Sequence, residues 1–496
     1  MNMLAGIEKP SVTFPGFFRV REVSGSFVVT NAQGDWVILT VPEFKAFGEG
    51  SVERGSALWE RLKAANLIRS EFDVPAAVAR FKKRMKFLQN GPNLHMLVVT
   101  LRCNETCVYC HASRANMDAV QTDMTAEIAE KSIDLALGSS SPFITIEFQG
   151  GEPLVNYPVL QHAIRYGQRR AQEVGKSVEF TMVSNLSLMD EEKLAFLLDH
   201  RVQICTSIDG PEHLHDKQRK LIASSAFNAA VKWIARVNEA YIERGLDPTL
   251  YHVEALLTTT REALTRGREI VDTYVSLGCK ALFLRPIDPF GFMEKTAHRV
   301  EYPREEYLKF YRDTTDYIIE LNKQGVQILE RYAAIFLTKI LNGEDPNFLD
   351  IRSPSGAGIS AIAYNYDGLV FAGDEARMMH ETGDDTFLLG RVGELTYETM
   401  MTHPTIRALV LASNLNGRPD CVNCAYNPYC GVDGVHTYKT QGSISGRMRE
   451  STVSAVHKGI MDYLFEKIRE DDPETMEVFR RWTTNRSRDH FVQVPG

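Results

Sequence analysis

No stretch of this sequence approaches eighteen uninterrupted apolar residues, and a helix needs about that many to cross a bilayer. A transmembrane span is therefore not expected. Met1 to Phe14 lack the charged start and apolar run of a signal peptide, so the chain is expected in the cytoplasm. Excess positive charge is also missing. The net charge is −8, which argues against a broad nucleic-acid-binding face. Low-complexity tracts and internal repeats are absent. Cysteine is sparse, at eight residues in 496, which rules out a disulfide scaffold.

What is present is ordinary for globular protein: 44% hydrophobic and 24% charged residues. The length implies two or three domains. Six of the cysteines fall in two tight groups, Cys103/Cys107/Cys110 and Cys421/Cys424/Cys430. Tight grouping in a reducing compartment points to metal ligation. Cys205 and Cys279 lie in apolar, strand-like contexts and read as small core residues.

The chain changes rhythm twice. Phe17–Val23, Phe27–Asn31 and Trp36–Leu39 read as strands joined by short turns. Thr40 and Glu43 make a capping box with Pro42 in the first helical turn, and helical patterns follow at Ala57–Ala65 and Pro75–Leu88. Residues 1–90 thus form a small winged-helix-like module. After Gly91-Pro92, strand-length apolar runs alternate with amphipathic helices. The strands are Leu94–Leu101, Phe143–Phe148, Val178–Ser184, Val202–Ser207, Val253–Leu257 and Ala281–Pro286. Six β/α units imply an α/β fold with a parallel sheet, doubly wound or a partial barrel, and function at the C-terminal strand ends. Helical patterns run from about Arg304 to Leu341. Asp367-Gly368 then signals a type I′ hairpin within Tyr364–Phe371. The boundaries are read as a module at 1–90, a barrel at 91–310, a helical linker at 311–360, a cysteine-bearing domain at 361–480 and a tail at 481–496.

Cys103-Asn-Glu-Thr-Cys107-Val-Tyr-Cys110 directly follows the first strand of the β/α series. Three thiolates at this spacing can hold three irons of a [4Fe–4S] cluster and leave the fourth open. A zinc site completed by His111 is the alternative, but closing a three-residue gap with an adjacent histidine is awkward.

Cys-x3-Cys-x2-Cys on the first strand–helix loop, with Tyr109 before the last cysteine, resembles the radical S-adenosylmethionine (SAM) superfamily. Gln149-Gly150-Gly151-Glu152-Pro153 closes the second strand and is similar to that family's SAM-binding turn. The resemblance implies glycines that let backbone approach the methionine part of SAM, and Glu152 accepting from its ammonium. Ser184-Asn185 matches the ribose-contact position. Ser207-Ile-Asp209-Gly-Pro211, with His215, Asp216 and Arg219 after it, resembles peptide- and protein-modifying members. Asp209 also reads as a simple turn-former and Arg219 as structural.

Cys421-x2-Cys424-x5-Cys430 resembles the heart of the SPASM extension, which carries auxiliary iron–sulfur clusters. The pattern is incomplete: Gly434, Gly373 and the region of Ser454 stand where further cysteines are expected. That implies one auxiliary cluster, with Asp374, His436, Ser454 and His457 as candidate fourth ligands. A zinc knuckle is the alternative. Asp374 has a second reading as general base, because relatives that mature sulfatases use an aspartate there; an exposed salt-bridging pair is the plainer one. Longer stretches, among them Gly91-Pro-Asn-Leu-His95 and Leu284-Arg-Pro-Ile287, are similar to the radical SAM partner of the His-Xaa-Ser peptide systems.

Together these imply a partial (β/α)6 radical SAM barrel, an N-terminal winged-helix-like peptide-recognition module and a C-terminal SPASM-like iron–sulfur domain. The expected cofactors are a SAM-binding [4Fe–4S] cluster on Cys103, Cys107 and Cys110, SAM itself, and one auxiliary cluster on Cys421, Cys424 and Cys430. Tyr109, Gln149, Gly150, Gly151, Glu152, Pro153, Ser184, Asn185 and Ser207 are the expected cofactor contacts. The expected partners are a ribosomally made precursor peptide, its leader added to the module's sheet edge or the module merely packing, and a flavodoxin or ferredoxin as electron donor. The expected reaction is oxidative ring closure in that peptide. Oxidation of a protein residue, epimerisation and a non-catalytic zinc module are the rivals.

Overall fold

The computed structural model describes residues 13–484. Its first unit is a three-stranded antiparallel sheet, Arg19–Val23, Ser26–Thr30 and Trp36–Leu39, in that spatial order. Ser24 and Gly25 both have positive φ, the two-residue hairpin geometry that matches strand twist. Thr40 and Glu43 close the capping box that starts helix Val41–Glu49. Val29, Val37, Leu39, Phe47, Trp59 and Leu62 bury a small core of their own. The unit also docks on the C-terminal part of the chain. Trp36 meets Phe465 edge-on, Thr30 Oγ1 donates to the Ala425 carbonyl, and Arg21 pairs with Asp462.

Six parallel strands follow: Leu94–Thr100, Phe143–Gly150, Ser177–Val183, Val202–Ser207, Glu254–Thr258 and Leu284–Arg285. Their order across the sheet equals their order in the chain. A doubly wound sheet reverses direction at a switch point; an unreversed order curls one way, as a partial barrel does. Covering helices include Ala126–Leu137, Tyr157–Glu173, Glu191–Asp199 and Ala226–Glu243. Side-chain caps start three of these four: Thr125, Asp190 and Ser225 each accept a first-turn amide.

Three expectations change. The last strand, expected over Ala281–Pro286, is split at Phe283. Ala281–Leu282 pairs with Leu329–Glu330, whereas Leu284–Arg285 pairs with the fifth barrel strand. The Arg285 amide reaches back to the Phe283 carbonyl, and Glu330 Oε1 accepts the Leu284 amide, so the strand kinks there. The hairpin near Asp367 is not type I′. Among Asn365–Gly368 only Gly368 has positive φ, and its amide closes the turn on the Asn365 carbonyl. Finally, Arg481 and Trp482, expected in the tail, complete helix Pro473–Trp482. The rest of the expected tail, 485–496, and residues 1–12 lie outside the described residues.

One further strand was not legible in the pattern. Ala361–Tyr364 pairs in parallel with the first barrel strand, Ala361 opposite Leu94. Leu369–Phe371 and Leu388–Arg391 continue antiparallel, so one nine-stranded sheet runs from the barrel into the C-terminal segment. Helix Arg304–Lys323 packs on Gly267–Ser276, and also on Thr452–Glu470 and Pro473–Trp482. It joins the barrel to the C-terminal helices.

Candidate active site

Alternation along the barrel strands builds the site. Ile144, Ile146 and Phe148 are buried under the outer helices. Their neighbours Glu147 and Gln149 turn inward with Thr181, Gln203, Cys205, Ser207, Glu254 and Arg285, which line a cavity of about 530 Å³. Successive strand residues face opposite sides, so these residues enclose a hollow lumen whose wall also carries Val183, Leu256, Phe283 and Phe348. The volume lies within the roughly 300–1,000 Å³ of ligand pockets. Cys205 is therefore a wall residue of this lumen, not the core residue expected; Cys279 is buried as expected.

The first cysteine loop lies at the C-terminal end of the first strand, and Cys103, Cys107 and Cys110 all line the cavity. Glu105–Cys107 pairs antiparallel with Arg219–Leu221, so Cys107 faces Arg219 in register. Arg219 Nε donates to Asp209 Oδ2 at 3.1 Å, Nη1 lies 3.8 Å from Cys107 Sγ, and Tyr109 donates its hydroxyl to the same Asp209 oxygen. Asp209 is fully buried and Arg219 nearly so. Arg219 is structural, as read from the sequence, and Asp209 is more than a turn-former, because together they clamp the loop. Gly291, at φ +66°, has no room for a Cβ against the Cys110 and His111 carbonyls, and the chain crosses there closely enough for the Phe292 amide to bond Cys110.

The turn after the second strand works differently from the expectation. A Cβ on Gly150 would run into the Thr100 carbonyl, and one on Gly151 into those of Leu101 and Arg102. The glycines are thus required first by the backbone of the cysteine loop. Glu152 is fully buried, and its carboxylate is already engaged: it accepts from Ser184 Oγ at 2.8 Å, the Asn185 amide at 2.7 Å and the Leu154 amide at 3.0 Å. It locks the ends of strands two and three together. Pro153 opens the 3-10 turn Pro153–Asn156, buried and away from the cavity. Gln149, Gly150, Gly151, Ser184, Asn185, Ser207 and Tyr109 do line it.

The cavity suits a cationic, polynuclear group. Burial pushes the Cys103 and Cys107 thiols well up, so thiolates form there only beside positive charge, which metal ions supply. Glu105 Oε2 and His111 Nε2 are buried on the lining without a hydrogen-bond partner among the described residues. Burial raises the Glu105 carboxyl to about 7 and lowers His111 to about 4. Glu105 was missed in the sequence; an acid between Cys103 and Cys107 was its signal. Among the described residues no three Cys, His, Asp or Glu side chains converge on a single metal position.

Asp374 also lines the cavity, from helix Asp374–His380. Its Oδ1 accepts from Arg377 Nε at 2.9 Å and Nη2 at 2.8 Å, and Arg377 Nη1 donates to the Ala112 carbonyl beside the cysteine loop. The ion pair is real, but its arginine is buried rather than exposed. Glu375 is raised well above the carboxylate range by burial and by Asp350, Asp433, Asp374 and Asp288 around it.

The second cysteine group forms a compact loop. The Cys424 amide bonds the Cys421 carbonyl, the Cys430 amide bonds Tyr426, and Asn427 Nδ2 holds the Cys421 carbonyl. A Cβ on Gly431 would strike the backbone of Ile351 and Arg352. Of the four candidate fourth ligands, His457 lies beside the loop, with Nδ1 3.6 Å from Cys430 Sγ.

Residues 97–254 match the Radical SAM superfamily. Over 349 residues, covering 68% of this chain and 88% of the relative, the sequence is 22% identical to a cysteine-type anaerobic sulfatase-maturating enzyme of Clostridium perfringens. Among solved structures, the fold is similar to native anSMEcpe with bound AdoMet and a Kp18Cys peptide, at TM-score 0.61, 19% identity and coverage of 79% of this chain and 100% of that one. Streptococcus suis SuiB bound to the precursor peptide SuiA is similar at TM-score 0.52 and 12% identity, with 88% and 98% covered. The barrel, its cysteine loop and these matches together identify residues 97–254 as a radical SAM domain, of a family whose members bind a [4Fe–4S] cluster and SAM.

Proposed function

We propose that this chain is a radical SAM maturase of a ribosomally made peptide, closing an oxidative cross-link within it. The observation that carries the reading is the hollow lumen, lined by the three cysteines at its C-terminal rim and by Asp374. Cys103, Cys107 and Cys110 hold the cluster. Bound together, cluster and SAM supply a 5′-deoxyadenosyl radical, which takes an unactivated hydrogen from the substrate.

The chain's own residues aim and enclose that chemistry. The Asp209–Arg219–Tyr109 clamp fixes the cysteine loop. Glu152 holds Ser184 and Asn185 at the rim, where with Gln149, Gly150, Gly151 and Ser207 they face SAM. Asp374 keeps Oδ1 on Arg377, while Oδ2 takes no hydrogen bond from the described residues, so it is the acceptor for the proton released on oxidation. Cys421, Cys424 and Cys430 would hold an auxiliary iron–sulfur cluster, which would supply an electron acceptor, and a flavodoxin- or ferredoxin-type donor would supply reducing equivalents.

The leader peptide adds beside Trp36–Leu39. One edge of the module's sheet, Arg19–Val23, is bound to the C-terminal segment through Arg19 and Arg21. The other opens on a groove of about 800 Å³ lined by Trp36, Ile38, Arg61, Ile340 and Ile468. Slower amide exchange at residues 36–39 on adding precursor peptide is the expected result; unchanged exchange refutes this docking.

The test of the chemistry is product mass in deuterated solvent. A cross-link leaves the peptide lighter by about two hydrogens, at roughly one SAM per bond, without new carbon-bound deuterium. Asp374→Asn is expected to keep 5′-deoxyadenosine formation while product falls at least tenfold. Epimerisation is the second reading, favoured by Cys205 on the lumen wall, where a thiol could return a hydrogen. It predicts unchanged composition, one deuterium gained, and loss of that label in Cys205→Ala.

A further inference from the structure

A guanidinium reaches one of the three thiols in the first group. Arg219 Nη1 donates to Cys107 Sγ at 3.8 Å. The two residues face each other in register across the short antiparallel pair Glu105–Cys107 and Arg219–Leu221, so backbone pairing holds the contact and not a loose rotamer. Cys103 has a neutral neighbour instead. Asn185 Nδ2 lies 4.0 Å from its sulfur, and that amide's shorter bond, at 3.0 Å, goes to Asn104 Oδ1.

Anchoring the loop does not require this contact. Asp209 accepts Arg219 Nε at 3.1 Å, the Tyr109 hydroxyl, and the Thr258 amide at 3.4 Å. The guanidinium also lies over the Tyr109 ring, with Cζ 5.3 Å from its centroid. Its planar fork offers donors on separate branches. Asp209 takes Nε and the sulfur takes Nη1, so the charge nearest to Cys107 is positive. The Arg219 and Asp209 side chains are 12% and 0% exposed, so water screens this arrangement little. Burial pushes the Cys107 thiol up, Arg219 pulls it down, and Cys110, Glu105 and Cys103 push it up again.

We infer that Arg219 sets the reduction potential of the first cluster, through the hydrogen bond from Nη1 to the Cys107 thiolate. A donor on a ligating sulfur draws electron density from it, and a nearby cation favours the more negative, reduced state. Both raise the potential. Arg219 is thus a positioning residue with an electronic effect beside its mechanical one. A higher potential eases electron entry from a carrier and lessens the drive to pass that electron to the sulfonium of SAM. The inference rests on the assignment of the cluster to Cys103, Cys107 and Cys110, and is independent of the peptide and of the bond formed.

The test uses the full chain carrying Cys421→Ala, Cys424→Ala and Cys430→Ala, so that only the first group can load. After anaerobic reconstitution it should hold about four irons. Its potential is read without SAM, by a reductive titration followed by EPR. Arg219→Lys keeps a cation for Asp209, but a single ammonium lacks the second branch of the fork, and the potential should fall. Arg219→Met with Asp209→Leu removes the pair without stranding a buried charge, and the potential should fall there too, with iron content unchanged. The sign separates tuning from a purely structural role, because a loosened loop admits water, and water raises the potential of a negatively charged cluster. An unchanged or raised potential in either variant, or iron lost from both, would overturn the inference. A parent chain without about four irons would sink the cluster assignment itself, a failure visible before any potential is measured.

Discussion

Cys103, Cys107 and Cys110 stand at the rim of a lumen of about 530 Å³, whereas the void beside Cys430 is about 20 Å³. The first loop is clamped by a buried ion pair and faces open space. The second is tied by backbone hydrogen bonds and backed by a buried helix face. A site that must receive a small molecule keeps room at one metal position, and a site that only passes electrons can be closed. The same contrast separates catalytic from structural metal sites generally. On the proposed function, the Cys-x3-Cys-x2-Cys and Cys-x2-Cys-x5-Cys groups would take different tasks from their different surroundings.

Removing ligands breaks the comparison most completely. Alanine at Cys103, Cys107 and Cys110 should abolish 5′-deoxyadenosine formation and leave about half of roughly eight irons. Alanine at Cys421, Cys424 and Cys430 should also leave about half, yet retain SAM cleavage while product is lost. Equal loss of SAM cleavage in both variants, measured by chromatography, would mean the sites are not separable.

Next in size is the clamp. Arg219→Met strands the fully buried Asp209 carboxylate, and breaking a buried pair costs about 3–5 kcal/mol. A marked fall in thermal midpoint and at least tenfold slower SAM cleavage are expected. Arg219→Met with Asp209→Leu should recover stability but not cleavage, because a buried apolar pair can replace the charges while the loop loses its anchor. A stable Arg219→Met single variant would contradict the clamp.

The glycines offer a smaller, symmetrical comparison. Gly151 and Gly431 each sit where a Cβ would strike backbone, at Arg102 and Arg352 respectively. Overpacking of this kind costs about 1–3 kcal/mol. Gly151→Ala should weaken SAM binding with iron content unchanged, and Gly431→Ala should reduce iron at the second site alone. Iron analysis and SAM titration distinguish them.

How legible all this was depends on how far apart the cooperating residues lie. The cysteine spacings, the capping box at Thr40 and the β/α rhythm are local and were readable. Glu147, Gln203 and Glu254 were readable in principle, since charged and amide residues at alternate positions of a parallel, covered strand signal a hollow barrel. What could not be read were pairings between distant residues: Tyr109 with Asp209, Cys430 with His457, and strand Ala361–Tyr364 beside Leu94–Thr100. The hydrogen bonds of Glu152 were hidden for the same reason. Its motif is local, but the partners that occupy its oxygens come from the next strand.

The smallest effect tests the joint between the two regions, far from either cysteine group. His95 lies on the first barrel strand and is fully buried, with Nδ1 3.0 Å from the Tyr364 hydroxyl and Nε2 3.2 Å from the Pro92 carbonyl. Tyr364 belongs to the added C-terminal strand, so this contact spans the seam. Burial lowers the imidazole from 6.5 to about 4, and Lys176 pushes the same way. A folded pKa below the unfolded one means the unfolded chain takes up the proton first. The contribution is therefore fully present above about 6.5 and is lost as pH falls toward 4. Between pH 7 and 5.5 it amounts to about 1 kcal/mol. Buried carboxylates such as Glu330, raised by burial, slope the opposite way, so the quantity to measure is the difference between parent and His95→Gln. The parent should lose more stability than the variant on acidification across that range. Parallel melting curves at pH 7 and 5.5 would show that the seam does not sense this proton.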